Sequence, residues 1–198
     1  RNYTEAINNY RRFLDLAPGS SLKPLIFYSI GDAFFNLGEY DSAIVNYEKI
    51  IRDYPNSNFV FDALNGINYS YVSQGDPAKA ISIIDNFVDK NANSKFADKL
   101  AMKRGEIFYS LRDYELAKNS YITFINKFPN SKYIADAYYW IGKSSENLGN
   151  NEDAIKNYNI VFNSFPGNDI SQSAVVEAAN IFIKQKRYDD AINMLDRA

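Results

Sequence analysis

The 198-residue chain carries 22 Lys and Arg against 24 Asp and Glu, a net charge of −2, so no broad field of either sign favours nucleic acid or an anionic membrane. It has no Cys and no His, which removes disulfides, thiolate ligands, a Cys nucleophile, and the commonest metal ligand and acid–base group at neutral pH. At 46% hydrophobic it is long enough to bury a core, yet its apolar stretches fall far short of the roughly 20 residues that cross a bilayer. The chain starts with Arg1 rather than Met and shows no signal peptide. It reads as an excised piece from which a targeting segment is expected to have been cut.

One alanine column organises the sequence. Ala6, Ala43, Ala80, Ala117, Ala154 and Ala191 stand 37 residues apart. In chain order, the first partial unit, 1–19, is a lone helix B with Tyr3, Ala6 and Tyr10, closed by Pro18. Unit 22–57 opens with helix A, where Phe27, Ile30, Gly31 and Phe34 recur at helical spacing. Gly38 breaks it, Asp41 offers a cap, and helix B follows as Ala43, Ile44, Tyr47, Ile50 and Ile51. Tyr54-Pro55-Asn56-Ser57 ends the unit, because proline disfavours a helical residue before it. Unit 59–94 repeats the pattern with Asn68, Tyr71, Gly75, Ala80, Ile84 and Asn93-Ser94. Unit 96–131 has Gly105, Phe108, Ala117, Tyr121, Pro129 and Asn130-Ser131. Unit 133–168 has Gly142, Ser145, Gly149, Ala154, Tyr158 and Pro166. The terminal unit, 171–198, has Ala179, Phe182, Ala191 and Leu195.

The columns predict an all-α array of eleven helices, with the Asn-Ser pairs capping each next helix A. Gly on helix A is expected to face Ala on helix B, so that the two backbones approach closely. Each hairpin is too short to bury its face alone, so stacking supplies the core and stability is roughly a nearest-neighbour sum. Both ends stop mid-array, and their outer faces are expected to be poorly covered.

These columns resemble the tetratricopeptide repeat (TPR) family over essentially the whole chain. The segment from Tyr139 to Pro166, YWIGKSSENLGNNEDAIKNYNIVFNSFP, carries the aromatic, Ile-Gly, Gly, Ala, Tyr and Pro of the motif. The resemblance implies a right-handed α-α superhelix. The period of 37, against the family's usual 34, and the joint FPNSKYIADAYYWIG from Phe128 to Gly142 are similar to two bacterial envelope types. These are the periplasmic Tol–Pal coordinator and the outer-membrane lipoprotein of the β-barrel assembly machine.

Candidate chemistry is sparse. Gly142-Lys143-Ser144 looks like the end of a phosphate-binding loop, but the earlier Gly is Ala137 and the stretch lies mid-helix, so it reads as structural. Asp89-Lys90-Asn91-Ala92-Asn93 looks like the start of a calcium loop, but Ser94 and Leu100 replace the required Gly and Glu. Glu152-Asp153 and Asp189-Asp190 fall at helix starts, where they complement the helix dipole. No catalytic residue, metal or cofactor is expected.

One face of helix A holds a different set, one residue after the core register. It comprises Tyr28, Asp32 and Phe35; Asn65, Tyr69 and Val72; Met102, Glu106 and Tyr109; Tyr139, Lys143 and Glu146; and Val176, Asn180 and Ile183. In the family this face lines the concave groove, which implies a peptide or protein partner with large side chains. Some TPR domains also clamp a peptide C-terminus with Lys, Asn and Arg. Lys99 and Lys103 match that clamp, whereas Tyr28, Asp32 and Gly66 do not, so no such tail is expected.

The expected function is a non-enzymatic protein-interaction scaffold of a bacterial envelope complex, periplasmic or outer-membrane-associated, with a cytoplasmic location as the alternative. No nucleic acid and no membrane insertion are expected. The competing expectation is a rigid spacer that self-associates end to end.

Overall fold

The computed structural model describes residues 2–196. Arg1, Arg197 and Ala198, which the repeat places at the ends of the first and last units, lie outside the described residues. The described residues form eleven α-helices in two compact units, Arg1–Lys90 and Asn91–Ala198. Unit 1 holds α1 (Tyr3–Leu16), α2 (Lys23–Asn36), α3 (Tyr40–Asp53), α4 (Val60–Ser73) and α5 (Pro77–Lys90). Unit 2 holds α6 (Ala97–Ser110), α7 (Tyr114–Lys127), α8 (Ile134–Asn147), α9 (Asn151–Ser164), α10 (Asp169–Lys184) and α11 (Tyr188–Asp196). Within each unit, consecutive helices pack as neighbours. No helix among the described residues is long and apolar enough to cross a membrane.

The 37-residue step survives in the helix boundaries. Helices of type A start at Lys23, Val60, Ala97 and Ile134, and those of type B at Tyr40, Pro77, Tyr114, Asn151 and Tyr188. The exception is α10, which starts two residues ahead of register. Asn168 takes an extended backbone there, and its side chain accepts from the Ile170 amide.

Every A helix ends in the same double-bonded stop. In the first, the Glu39 amide donates to the Phe34 carbonyl and the Gly38 amide to the Phe35 carbonyl. This satisfies two carbonyls that the helix would otherwise leave open. The stop needs a left-handed residue, and Gly38, Gly75 and Gly149 supply it with φ of 77°, 78° and 78°. The same position is held by Arg112 at 62° and Lys186 at 61°. The repeat imposes this geometry even where the residue disfavours it.

The caps differ from expectation. Asp41 does not cap α3; Glu39 holds that position without a side-chain bond, and Asp41 instead accepts from Gln74. The B-helix caps are Asn2, Asp76, Asp113 and Asn150, each accepting from an amide three residues on. The Asn-Ser pairs do not cap helix A directly. Ser57, Ser94 and Ser131 accept from the amides of Phe59, Phe96 and Tyr133, two residues on and just before each helix.

The small column also works differently. The groups nearest Gly31, Gly105 and Gly142 are tyrosine rings. A Cβ at each would strike the ring of Tyr47, Tyr121 or Tyr158 on the paired B helix. The glycine is therefore a seat for a buried tyrosine. Tyr47 is held on a second side, because a Cβ on Gly66 of α4 would meet the same ring. Phe34, Tyr47 and Tyr121 are buried, while Phe27, Tyr71 and Phe108 are only half-buried. Basic groups lie over those rings: Lys49 over Phe27, Lys79 over Tyr71 and Arg104 over Phe108.

Candidate protein-binding face

In unit 1 the helix-A face is built by α2 and α4. Tyr28 stacks between Tyr47 and Phe59, with both centroid separations at 5.7 Å. Burial, reinforced by the nearby Asp32 and Asp62 charges, pushes the Tyr28 phenol up to about 12. Asp32 is engaged from below, since the Tyr47 hydroxyl donates to it at 2.7 Å. Phe35 packs its ring 5.4 Å from that of Tyr40. Asn65 is half-buried, whereas Tyr69 is 52% exposed and Val72 is also exposed. Unit 1 thus offers a short apolar surface on α4 beside a face of α2 whose groups are already committed to one another.

In unit 2 the face is built by α6, α8 and α10, and it is a network. Tyr109 meets Trp140 edge-on at 5.0 Å, and Trp140 meets Tyr139 edge-on at 5.7 Å. The three half-exposed rings make one aromatic ladder. Asn147 donates to the Tyr109 hydroxyl at 3.0 Å. Charged groups border the ladder: Lys143 reaches Glu177 at 3.1 Å and Glu146 at 3.6 Å, and Lys184 reaches Glu146 at 2.9 Å. The Tyr139 hydroxyl also donates to Glu177, at 3.3 Å. Burial raises both the Tyr109 and Tyr139 phenols, so these hydroxyls stay protonated, Tyr109 accepting from Asn147 and Tyr139 donating to Glu177. For Lys143, burial alone would lower the pKa, but the bond to Glu177 and the charge of Glu146 outweigh it, and the ammonium is held.

Other expected members are placed less favourably. Met102 is buried at 6% exposure within the unit 2 core and lends no surface, because its turn of α6 faces the packed side. Lys103 is paired with Glu106 at 2.6 Å, and Lys99 is exposed. Val176, Asn180 and Ile183 of α10 are all exposed. Trp140, Asn147, Glu177 and Lys184 belong to the network although the one-residue offset from the core register does not reach them. For the last three the signal is spacing: Asn147 lies 38 residues after Tyr109, Glu177 38 after Tyr139, and Lys184 38 after Glu146, one repeat plus one residue.

The motif fragments have structural places. Gly142 seats Tyr158, Lys143 is in the ion-pair network, and Ser144 donates to the Trp140 carbonyl within α8. Asp89 lies in the last turn of α5. Asp153 accepts from Lys118 and Ser145, each at 2.7 Å, and Asp190 pairs with Arg187 at 2.7 Å. Among the described residues no group of three or more His, Cys, Asp or Glu is placed to hold a metal ion.

Helical hairpins at a constant step, with glycine seats for tyrosine, define the tetratricopeptide class, and residues 136–168 match the tetratricopeptide repeat family. Residues 21–148, well over half of the chain, match YfiO, outer membrane lipoprotein, and the chain belongs to that family. No curated protein matches the chain. Solved structures share the fold. The crystal structure of MamA is 22% identical at a TM-score of 0.58, covering 90% of this chain and 91% of that one. BtubC (BKLC) from P. vanneervenii is 14% identical at 0.64, covering 98% and 86%. MamA 41-end from Desulfovibrio magneticus RS-1 is 16% identical at 0.57, covering 88% and 92%. At these identities the likeness establishes the all-α repeat fold alone. Repeat proteins of this kind bind proteins and are generally non-enzymatic.

Proposed function

We propose that the chain is a non-enzymatic scaffold, a single TPR array that binds a partner protein or peptide along its helix-A faces within a bacterial envelope complex. Membership of an outer-membrane lipoprotein family supports a periplasmic or outer-membrane-associated site of action. The observation that carries the binding role is the Tyr109–Trp140–Tyr139 ladder, bordered by Lys143, Glu146, Glu177 and Lys184. Clustered aromatic anchors within a polar rim are the usual composition of an interaction hot spot. The charges within the rim offset one another, so shape and apolar contact drive recognition there rather than net charge.

The test is capture from a solubilised envelope fraction by the immobilised chain, run beside a Tyr109→Ala/Tyr139→Ala variant of unchanged helicity. The wild type is expected to retain a defined partner that the variant loses. Equal retention by both would remove the ladder from the interface.

A second reading, self-association, is favoured by Tyr188, Ile192 and Leu195. These exposed residues share one side of α11 at helical spacing. Sedimentation velocity separates the two readings: a mass that rises with concentration in the wild type and not in Ile192→Glu supports self-association.

A further inference from the structure

Unit 1 carries a cleft between its first two B helices, over the A helix that joins them. Helix α2 forms its floor, and α1 and α3 its walls, around about 350 Å3. Phe27, Ile30 and Phe34 line the floor, with Leu14 and Val45 on opposite walls. Val45 is 51% exposed, a β-branched apolar side chain facing solvent. Two cations lean over the floor. The Arg11 guanidinium stands 5.6 Å from the Phe34 ring centroid, and the Lys49 ammonium 5.2 Å from that of Phe27. Among the described residues no carboxylate comes within ion-pair distance of either. Asp41, the one acid of the lining, is held by Gln74 at 2.7 Å.

The repeat supplies an internal control. One step on, the positions of Arg11 and Lys49 are Glu48 and Asn86; three steps on they are Ile122 and Ile160. The paired cations are therefore a feature of this cleft and not of the repeat. A lone surface lysine is usually only solvated, but two unpaired cations flanking an apolar floor form a charge-complementary seat for an acidic, apolar ligand.

We propose that this cleft binds a peptide segment of a partner protein in which a large apolar side chain is flanked by carboxylates. The apolar group enters between Leu14 and Val45, and the carboxylates meet Arg11 and Lys49. The volume suits one or two side chains. Half of the ten lining residues are polar, which suits a peptide main chain better than an acyl tail. This proposal stands independently of the helix-A face.

The probe is a fluorescein-labelled, N-acetylated Glu-Leu-Phe-Glu peptide, titrated with the 198-residue chain and compared with its Gln-Leu-Phe-Gln twin by anisotropy. The acidic peptide is expected to bind at least about tenfold more tightly, with the preference shrinking at high salt. Arg11→Glu/Lys49→Glu is expected to abolish that preference, and Tyr139→Ala to leave it unchanged. Val45→Glu, at an exposed position, keeps the test valid should the double variant fail to fold, and it too is expected to abolish the preference. Absence of binding by the acidic peptide, equal binding of the twins, or a preference that survives in the folded variants would overturn the proposal.

Discussion

The ring of Tyr47 occupies the space that a side chain on Gly31 would need, with its Cε1 only 2.5 Å from where a Cβ would stand. Tyr47 is 1% exposed and is closed in from the other side by Gly66, so it has no room to retreat. Gly31→Ala is therefore expected to destabilise unit 1, although alanine is the better helix former by about 1 kcal/mol. Overpacking of about 1–3 kcal/mol wins. Urea denaturation checks this, and Tyr47→Leu should relieve most of the penalty in a double variant. A Gly31→Ala protein as stable as the wild type would mean that the ring can move.

The left-handed stops predict a stabilising change. Arg112 and Lys186 hold a backbone that glycine holds at Gly38, Gly75 and Gly149. Arg112→Gly and Lys186→Gly should each add about 0.5–1 kcal/mol, net of the larger unfolded-state entropy of glycine. Gly38→Ala should remove about 1 kcal/mol. Thermal melts of the three variants test the set, and a loss on Arg112→Gly would contradict it.

Two tyrosines in the same column should respond oppositely to loss of their hydroxyls. The Tyr47 hydroxyl donates to Asp32 at 2.7 Å, whereas that of Tyr121 is buried without a hydrogen-bond partner. Tyr47→Phe is expected to cost about 1–2 kcal/mol, because it removes a bond to a charged acceptor. Tyr121→Phe should be neutral or stabilising, since it removes an unsatisfied group. Chemical denaturation of both variants decides; an equal loss would show that Tyr121 has a partner in solution.

Acid should weaken unit 2 through Glu146 and Asp153. Burial alone would raise both carboxyls, but Lys184 and Lys143 outweigh it at Glu146, and Lys118 and Ser145 outweigh it at Asp153, so both are held low. A depressed folded pKa makes their contribution complete above the ordinary values of 4.5 and 3.8, and lost as pH falls through the depressed ones. Asp136 has the opposite sign. Burial raises it, so its penalty is absent in acid and grows as pH climbs through 3.8 towards the raised value. Glu146→Gln/Asp153→Asn should lower stability at neutral pH and flatten the acid limb, while Asp136→Asn should raise stability at neutral pH. Denaturation at neutral pH and at about pH 3 reads all three effects.

Much of this fold was legible in the chain alone, and the reason is periodicity. A step of 37 repeated through Ala6, Ala43, Ala80, Ala117, Ala154 and Ala191 leaves one register, and prolines and left-handed glycines punctuate it by local backbone sterics. The helix-A face was legible for the same reason, since residues at helical spacing share a side. What was not legible is which atoms meet across helices. Gly31 and Ala43 are both small and both columnar, so the sequence alone allowed them to face each other; only packing shows that Gly31 seats Tyr47. The second hairpin bears this out in its composition, carrying Asn68 where the glycine would be and the smaller Ile84 where the tyrosine would be. Nor does periodicity by itself reveal that Met102 turns inward, and the 38-residue offsets of Tyr109 to Asn147 and Glu146 to Lys184 mark only a position on the next A helix, not the bonds formed there. Local patterns are set within a helix by 3.6-residue geometry, whereas these contacts depend on how adjacent helices cross. The tertiary structure thus decided how the chain's aromatic and charged residues combine into surfaces.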